Sequence, residues 1–160
     1  MCDGRRGDAS AGSPIRKFRK TSMTDITPES VQAMILRGPF HQWLGLKVNA
    51  VSEEGIELEA TWREEWVANP DRGWTHGGII ATLLDLAADW SLVATTGRGV
   101  PTLDMRVDYH APAVKGDLIV RGKVVKAGKT FSVAEAQVLD KSGKLLASSR
   151  GTYFTAPPKA

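Results

Sequence analysis

The sequence predicts an α+β domain in which one long central helix is wrapped by a curled antiparallel sheet of about six strands, with a short helix in front. Three observations carry this. The stretch from Trp74 to Gly97 is apolar or small at nearly every position. Several segments on either side of it alternate apolar and polar with period two. Short turns join those segments, and consecutive strands with short turns form an antiparallel sheet.

The central helix is the longest run of apolar and small residues in the chain. After His76-Gly77-Gly78 it runs for about five turns at 3.6 residues per turn, and only Asp85 and Asp89 are charged. A helix that is apolar all round is a buried one. At about 17 residues, with charge near its middle, it is too short to span a membrane. A single sheet does not cover the whole circumference of such a helix, so a second subunit is expected over the remainder.

The other elements follow in chain order. Residues 1–24 are rich in Gly, Ser, Arg and Lys and read as a disordered basic tail; residues 25–157 read as one domain. Thr27-Pro28-Glu29 opens a helix with Thr27 as N-cap, and Gly38-Pro39 ends it. Pro39 to Gly45 reads as an apolar connector. Leu46 to Val51 is a strand. Ile56, Leu58, Ala60 and Trp62 mark one face of the next, and Arg63 to Thr75 reads as a loop. Beyond the helix, which is expected to run to Gly97, four strands are predicted. They are Leu103 to Tyr109, Leu118 to Lys126, Phe131 to Leu139 and Leu145 to Phe154. Asp140-Lys141-Ser142-Gly143 turns the last pair.

Charge and cysteine usage exclude several classes. The chain of 160 residues has a net charge of +3, and its first 20 residues alone hold six Lys/Arg against two Asp/Glu. The basicity therefore belongs to the tail, and a nucleic-acid partner is not expected. Residues 98–160 hold eleven Lys/Arg against five Asp/Glu, enough to receive a phosphorylated small molecule or simply to solvate strand faces. The single cysteine, Cys2, lies in the tail, so neither a disulfide framework nor a CxxC site is present. No secretory h-region is seen, which leaves a cytoplasmic reading. His41, His76 and His110 lack ligand spacing, so no metal is expected. No G-x-S-x-G elbow is present, and Gly128-Lys129-Thr130 precedes a strand rather than a helix, so it is a turn.

Two features carry chemistry. A carboxylate on a buried helix costs several kcal/mol unless it is paired or used. Asp85 is therefore either bonded to a backbone group or an Arg, or functional, and Asp89, one turn on, is the weaker candidate. His76-Gly77-Gly78 leaves backbone N–H groups at a helix start with no side chain in front of them. That end suits a phosphate or the oxyanion of an attacked carbonyl, or it packs closely on a strand. Gly77 and Asp85 are eight residues, or about 12 Å, apart along a helix. If both act on one carbon, each site takes Gly77 from one subunit and Asp85 from the other, across a twofold axis. Trp74 and Trp90 flank the helix as core residues or as the wall of a pocket.

His76 to Asp85, H-G-G-I-I-A-T-L-L-D, resembles the H-G-G-x-x-x-x-L-x-D motif of hotdog-fold thioesterases of the phenylacetyl-CoA (PaaI-like) group. The likeness extends over roughly residues 28–155, through P-F-H-Q-W-L-G, P-T-L-D-M-R-V-D-Y-H-A-P and G-K-L-L-A-S-S-R-G-T-Y. It implies the hotdog fold, a homodimer or a dimer of dimers, and hydrolysis of an acyl-CoA thioester without metal or cofactor, coenzyme A being part of the substrate. By position it implies Asp85 as general base or nucleophile and the Gly77 N–H as oxyanion donor. His76 and Asn69 would hold the carbonyl or the water, and Thr102 would assist across the dimer. The spacing from Asn69 to His76 is one residue longer than usual in the group. Gly78 and Trp74 would border the substrate, and Lys126, Lys129 and Arg150 are candidates for the CoA phosphates on charge alone. The acyl group is expected to be small, aromatic or medium-chain. Dehydratase relatives pair the acid with a His a few residues on, and none follows Asp85 here. The alternative function is an acyl-CoA-binding protein without turnover.

Overall fold

The computed structural model describes residues 26–157; the tail expected over residues 1–24 lies outside them. Helix α1 spans Pro28–Ile35. Thr27 accepts the Ser30 N–H at 3.2 Å, and its own N–H donates to Ser30 Oγ at 2.9 Å, a reciprocal cap. Val31 and Ile35 are buried. Gln32 fastens α1 to the sheet: its amide nitrogen donates to Leu46 O at 2.9 Å and its amide oxygen accepts from Val48 N at 2.6 Å. Those backbone groups belong to an edge strand, so one side chain satisfies polar atoms that the sheet leaves open.

The expected connector contains a short helix α2, Pro39–Trp43, with Pro39 in its first turn. It fits no sequence period because five residues are too few to show one. Phe40 stacks on Trp43 at 5.9 Å, and the Arg63 guanidinium lies 5.3 Å from the Trp43 ring. Strand β1 (Leu46–Val51) and strand β2 (Gly55–Ala60) form a hairpin. The expected loop that follows holds a 3₁₀ turn, Glu64–Trp66, and a two-stranded ribbon of β3 (Val67–Asn69) and β4 (Trp74–Thr75). Asn69 Oδ1 accepts the Arg72 N–H at 3.1 Å and closes that ribbon's turn.

The long helix stops earlier than expected. Helix α3 is Gly77–Ser91, and a separate turn α4, Val93–Thr96, follows Leu92. At the break the Leu92 N–H bonds Asp89 O at 3.1 Å rather than Ala88 O. Ser91 Oγ donates to Ala88 O at 2.7 Å in place of that backbone bond. Gly97, at φ +69°, ends α4 in the left-handed conformation.

Strands β5 (Thr102–Tyr109), β6 (Leu118–Lys126), β7 (Phe131–Asp140) and β8 (Leu145–Phe154) complete one antiparallel sheet in the order β1-β2-β6-β7-β8-β5. The sheet curls over α3, whose buried face is Ile80, Leu83, Leu84, Leu86, Ala87, Ala88, Trp90 and Ser91. The approach is closest at Gly122 of β6, where a Cβ would stand 1.9 Å from Ala87 O. The helix is not buried all round. Gly78 is exposed, and Ala81, Thr82 and Asp85 are only half-buried. At 3.6 residues per turn these positions form one stripe facing away from the sheet.

Candidate active site

The start of α3 is held from three sides. The Thr75 N–H donates to Ala113 O at 2.8 Å, the His76 N–H to Trp66 O at 2.7 Å, and the Tyr109 hydroxyl to Gly77 O at 2.8 Å. His76 is the N-cap. Its Nδ1 accepts the Gly78 N–H at 2.8 Å, so in the neutral ring the proton sits on Nε2. His76 O accepts from Ile79 N at 3.0 Å and Ile80 N at 3.4 Å. Of the four N–H groups that open the helix, Gly77's alone has no acceptor among the described residues. A Cβ at Gly78 would lie 2.8 Å from His76 Nδ1, so a larger residue there would push the His76 ring off its cap.

Two turns on, Asp85 Oδ1 accepts from Thr102 Oγ1 at 2.8 Å and from the Tyr153 hydroxyl at 3.4 Å, both in its own chain. Oδ2 carries no hydrogen bond among the described residues. Thr102 reaches the helix because β5 has an irregularity between Thr102 and Asp104. Without it, Thr102 would share the outer face of Asp104, Arg106 and Asp108; with it, Thr102 lies opposite Tyr153 on the inner face. Asp89 is more enclosed. Its Oδ1 accepts the Val100 N–H, and its carboxyl is pushed up to about 7. Burial is the main cause; the Val100 N–H bond opposes it, and the Asp85 charge adds to it.

The chain is similar in sequence and fold to known proteins. A family profile described as the thioesterase superfamily matches residues 72–147. Human acyl-coenzyme A thioesterase 13 is 34% identical over 136 residues, 82% of this chain and 96% of that protein. The chain belongs to the thioesterase superfamily. A crystal structure of another protein of the superfamily is 46% identical with a TM-score of 0.77, over 79% of this chain and 96% of that one. A structure of the phenylacetic acid degradation protein PaaI from Thermus thermophilus is 26% identical with a TM-score of 0.65, over 73% of this chain and 98% of that one. The hotdog thioesterase fold, the PaaI-like resemblance and the reading as an enzyme all stand with these.

Within this thioesterase the sequence-predicted residues separate into groups. Gly77, Gly78 and His76 come together at the helix start, and Asp85 and Thr102 come together two turns away. Asn69 is half-buried, and its side-chain oxygen serves the Asn69–Arg72 turn. Trp74 lies under the Arg72 guanidinium, 4.8 Å from its ring centre. It borders an apolar cavity of about 350 Å³ beside Gly77, with Ile80, Tyr109, Pro112 and Leu146. Trp90 is buried core, packed against Gly99.

Arg150 lies apart from the helix start within its own chain. Strand alternation puts it on the outer face of the sheet, bonded to Glu135, whereas Gly151 and Tyr153 face the helix. A concavity of about 950 Å³ lies on that outer face and is lined by Arg106, Arg121 and Arg150 with Asp108, Glu57 and Glu135. Its cations are matched by carboxylates, and it contains none of the helix residues. Lys126 and Lys129 are exposed at the β6–β7 turn, the opposite end of the sheet from Gly77 in the same chain. Lys115, Lys141 and Lys144 instead border a cavity of about 440 Å³ that shares Trp74, Pro112 and Leu146 with the one at Gly77. Sequence pattern alone marks neither Tyr109 nor Tyr153 as a site residue. Their inward places follow from pairing with β8 and β5, and only the G-T-Y ending hinted at Tyr153. Among the described residues no group of three or more His, Cys, Asp or Glu could hold a metal ion, and no helix is long and apolar enough to cross a membrane.

Proposed function

We propose that this chain hydrolyses acyl-CoA thioesters in a dimer. The Gly77 N–H of one protomer receives the developing oxyanion, and the partner's Asp85 delivers the nucleophile. One observation carries the reading. Among the described residues, the Gly77 N–H and Asp85 Oδ2 have no hydrogen-bond partner, and they lie on the open side of one helix, about 12 Å apart along its axis. An antiparallel second copy of α3 would bring the two within reach of one carbonyl. The His76 Nε2–H is a further donor at that end.

The chemistry follows from the groups present. The Gly77 N–H, reinforced by the positive end of the helix dipole, stabilises the alkoxide formed as the carbonyl carbon becomes tetrahedral. Asp85 either takes the proton of the attacking water or attacks directly and forms an acyl anhydride that water cleaves. In both routes the C–S bond breaks, the thiolate leaves and takes up a proton, and a carboxylic acid and free coenzyme A remain. No metal or further cofactor enters. The cavity at Gly77 lies at the low end of small-molecule sites, which favours a modest aromatic or medium-chain acyl group.

Free-thiol release from a panel of acyl-CoAs, with Asp85→Asn beside the wild type, tests this. The variant should keep its fold and lose about 10²-fold or more in kcat. Binding of acyl-CoA with no thiol release by the wild type would replace the enzyme with a binding protein.

A further inference from the structure

Strand β8 sends one residue to Asp85 that the proposed reaction does not use. Tyr153 is fully buried. A buried phenol needs a hydrogen-bond partner, and among the described residues its partner is Asp85 Oδ1. The strand makes room for it: a Cβ at Gly151 would stand 2.8 Å from the Tyr153 hydroxyl. Thr102 lies directly opposite Tyr153 in the β5–β8 register and donates to the same oxygen. Two hydroxyls from adjacent strands thus converge on Oδ1, one placed by a bulge and the other by a glycine. The charged groups around the phenol are Asp85 and Asp89 on α3, with Arg98 beyond Asp89. Burial, and then the charges of both carboxylates, hold Tyr153 above the usual range for a phenol, so it stays protonated and remains a donor.

We propose that Tyr153 is a positioning residue for Asp85: with Thr102 it locks Oδ1 and leaves Oδ2 as the reactive oxygen. This rests on the proposed role of Asp85. An unlocked carboxylate samples several rotamers, and a small misplacement of a catalytic group lowers the turnover step without weakening substrate binding.

The test uses the full chain and an acyl-CoA that the wild type cleaves. Tyr153→Phe, Thr102→Val, the double variant and Asp85→Asn are compared for kcat, KM and thermal unfolding. Tyr153→Phe is expected to lose about 10-fold in kcat with KM within about twofold of wild type. The double variant should depart from the product of the single effects, because the two hydroxyls share one oxygen. If Tyr153→Phe keeps wild-type kcat and loses only melting temperature, the phenol is structural and the proposal fails while the role of Asp85 stands. If Asp85→Asn keeps wild-type kcat, the role of Asp85 fails first. If Tyr153→Phe does not fold, Gly151→Ala takes its place: its Cβ would stand 2.8 Å from the phenol oxygen and 3.0 Å from Asp104 O, so it displaces the phenol without removing it and presses on β5 as well. The same kcat loss is expected there, and an unchanged kcat refutes the proposal.

Discussion

Replacing Asp89 by Asn should make the protein more stable at alkaline pH and leave it nearly unchanged at acidic pH. The fold raises this carboxyl from 3.8 to about 7, chiefly by burial. Between those values the folded state holds a proton that the unfolded chain has released. The favourable contribution is complete below 3.8 and is lost as pH rises through about 7. Above that, the fold carries an ionised, largely buried carboxylate one turn from Asp85. A pKa difference of this size corresponds to a ceiling of about 4 kcal/mol at 1.36 kcal/mol for each tenfold. Asn keeps an oxygen for the Val100 N–H and removes the charge, so about 2 kcal/mol of stabilisation is expected near pH 8, narrowing to about 0.8 kcal/mol near pH 5 and vanishing below about pH 4. Urea unfolding at fixed protein concentration across this range reads it directly, with m unchanged. A variant less stable than wild type at pH 8, or a gap that does not vary with pH, would refute the reasoning. Asp89 would then be a carboxylate that the Val100 N–H and Arg98 hold ionised.

Two other substitutions probe how the site is held in place. Gln32→Ala removes the clamp on Leu46 O and Val48 N and should cost about 1–3 kcal/mol in urea unfolding; no loss would mean that water replaces the clamp without penalty. Gly122→Ala drives a Cβ into Ala87 O and should destabilise by more than about 3 kcal/mol or prevent soluble expression, whereas a wild-type melting temperature would place α3 farther from β6 than described.

Much of the architecture is legible in the residues themselves. Thr27 and Pro28 announce α1, and the period-two run Ile56, Leu58, Ala60 announces β2. The His76-Gly77-Gly78 start of the long helix is local too, because a cap, a dipole end and two missing side chains all act within one turn. The family motif then ties Gly77 to Asp85. Signals that need more than a few residues of context are weaker. The β3–β4 ribbon has too few residues for a period, and the end of α3 at Ser91 depends on which hydroxyl captures which carbonyl.

Local chemistry along the chain sets out a helix with one carboxylate at its middle, a glycine-rich end, and strands enough to cover it. Tertiary structure alone decided what that carboxylate touches. The irregularity at Leu103 turns Thr102 inward, and the pairing of β5 with β8 sets it beside Tyr153, so both hydroxyls reach Asp85 from positions distant in the chain. The same alternation turned Arg150 outward to Glu135, away from the helix. Burial raised Asp89 and left Asp85 at the open stripe, although both are aspartates on one helix. The physical reason is common to all of these. Composition and local period set which elements form, whereas register, bulges and enclosure are properties of pairs of elements and exist only once those elements meet.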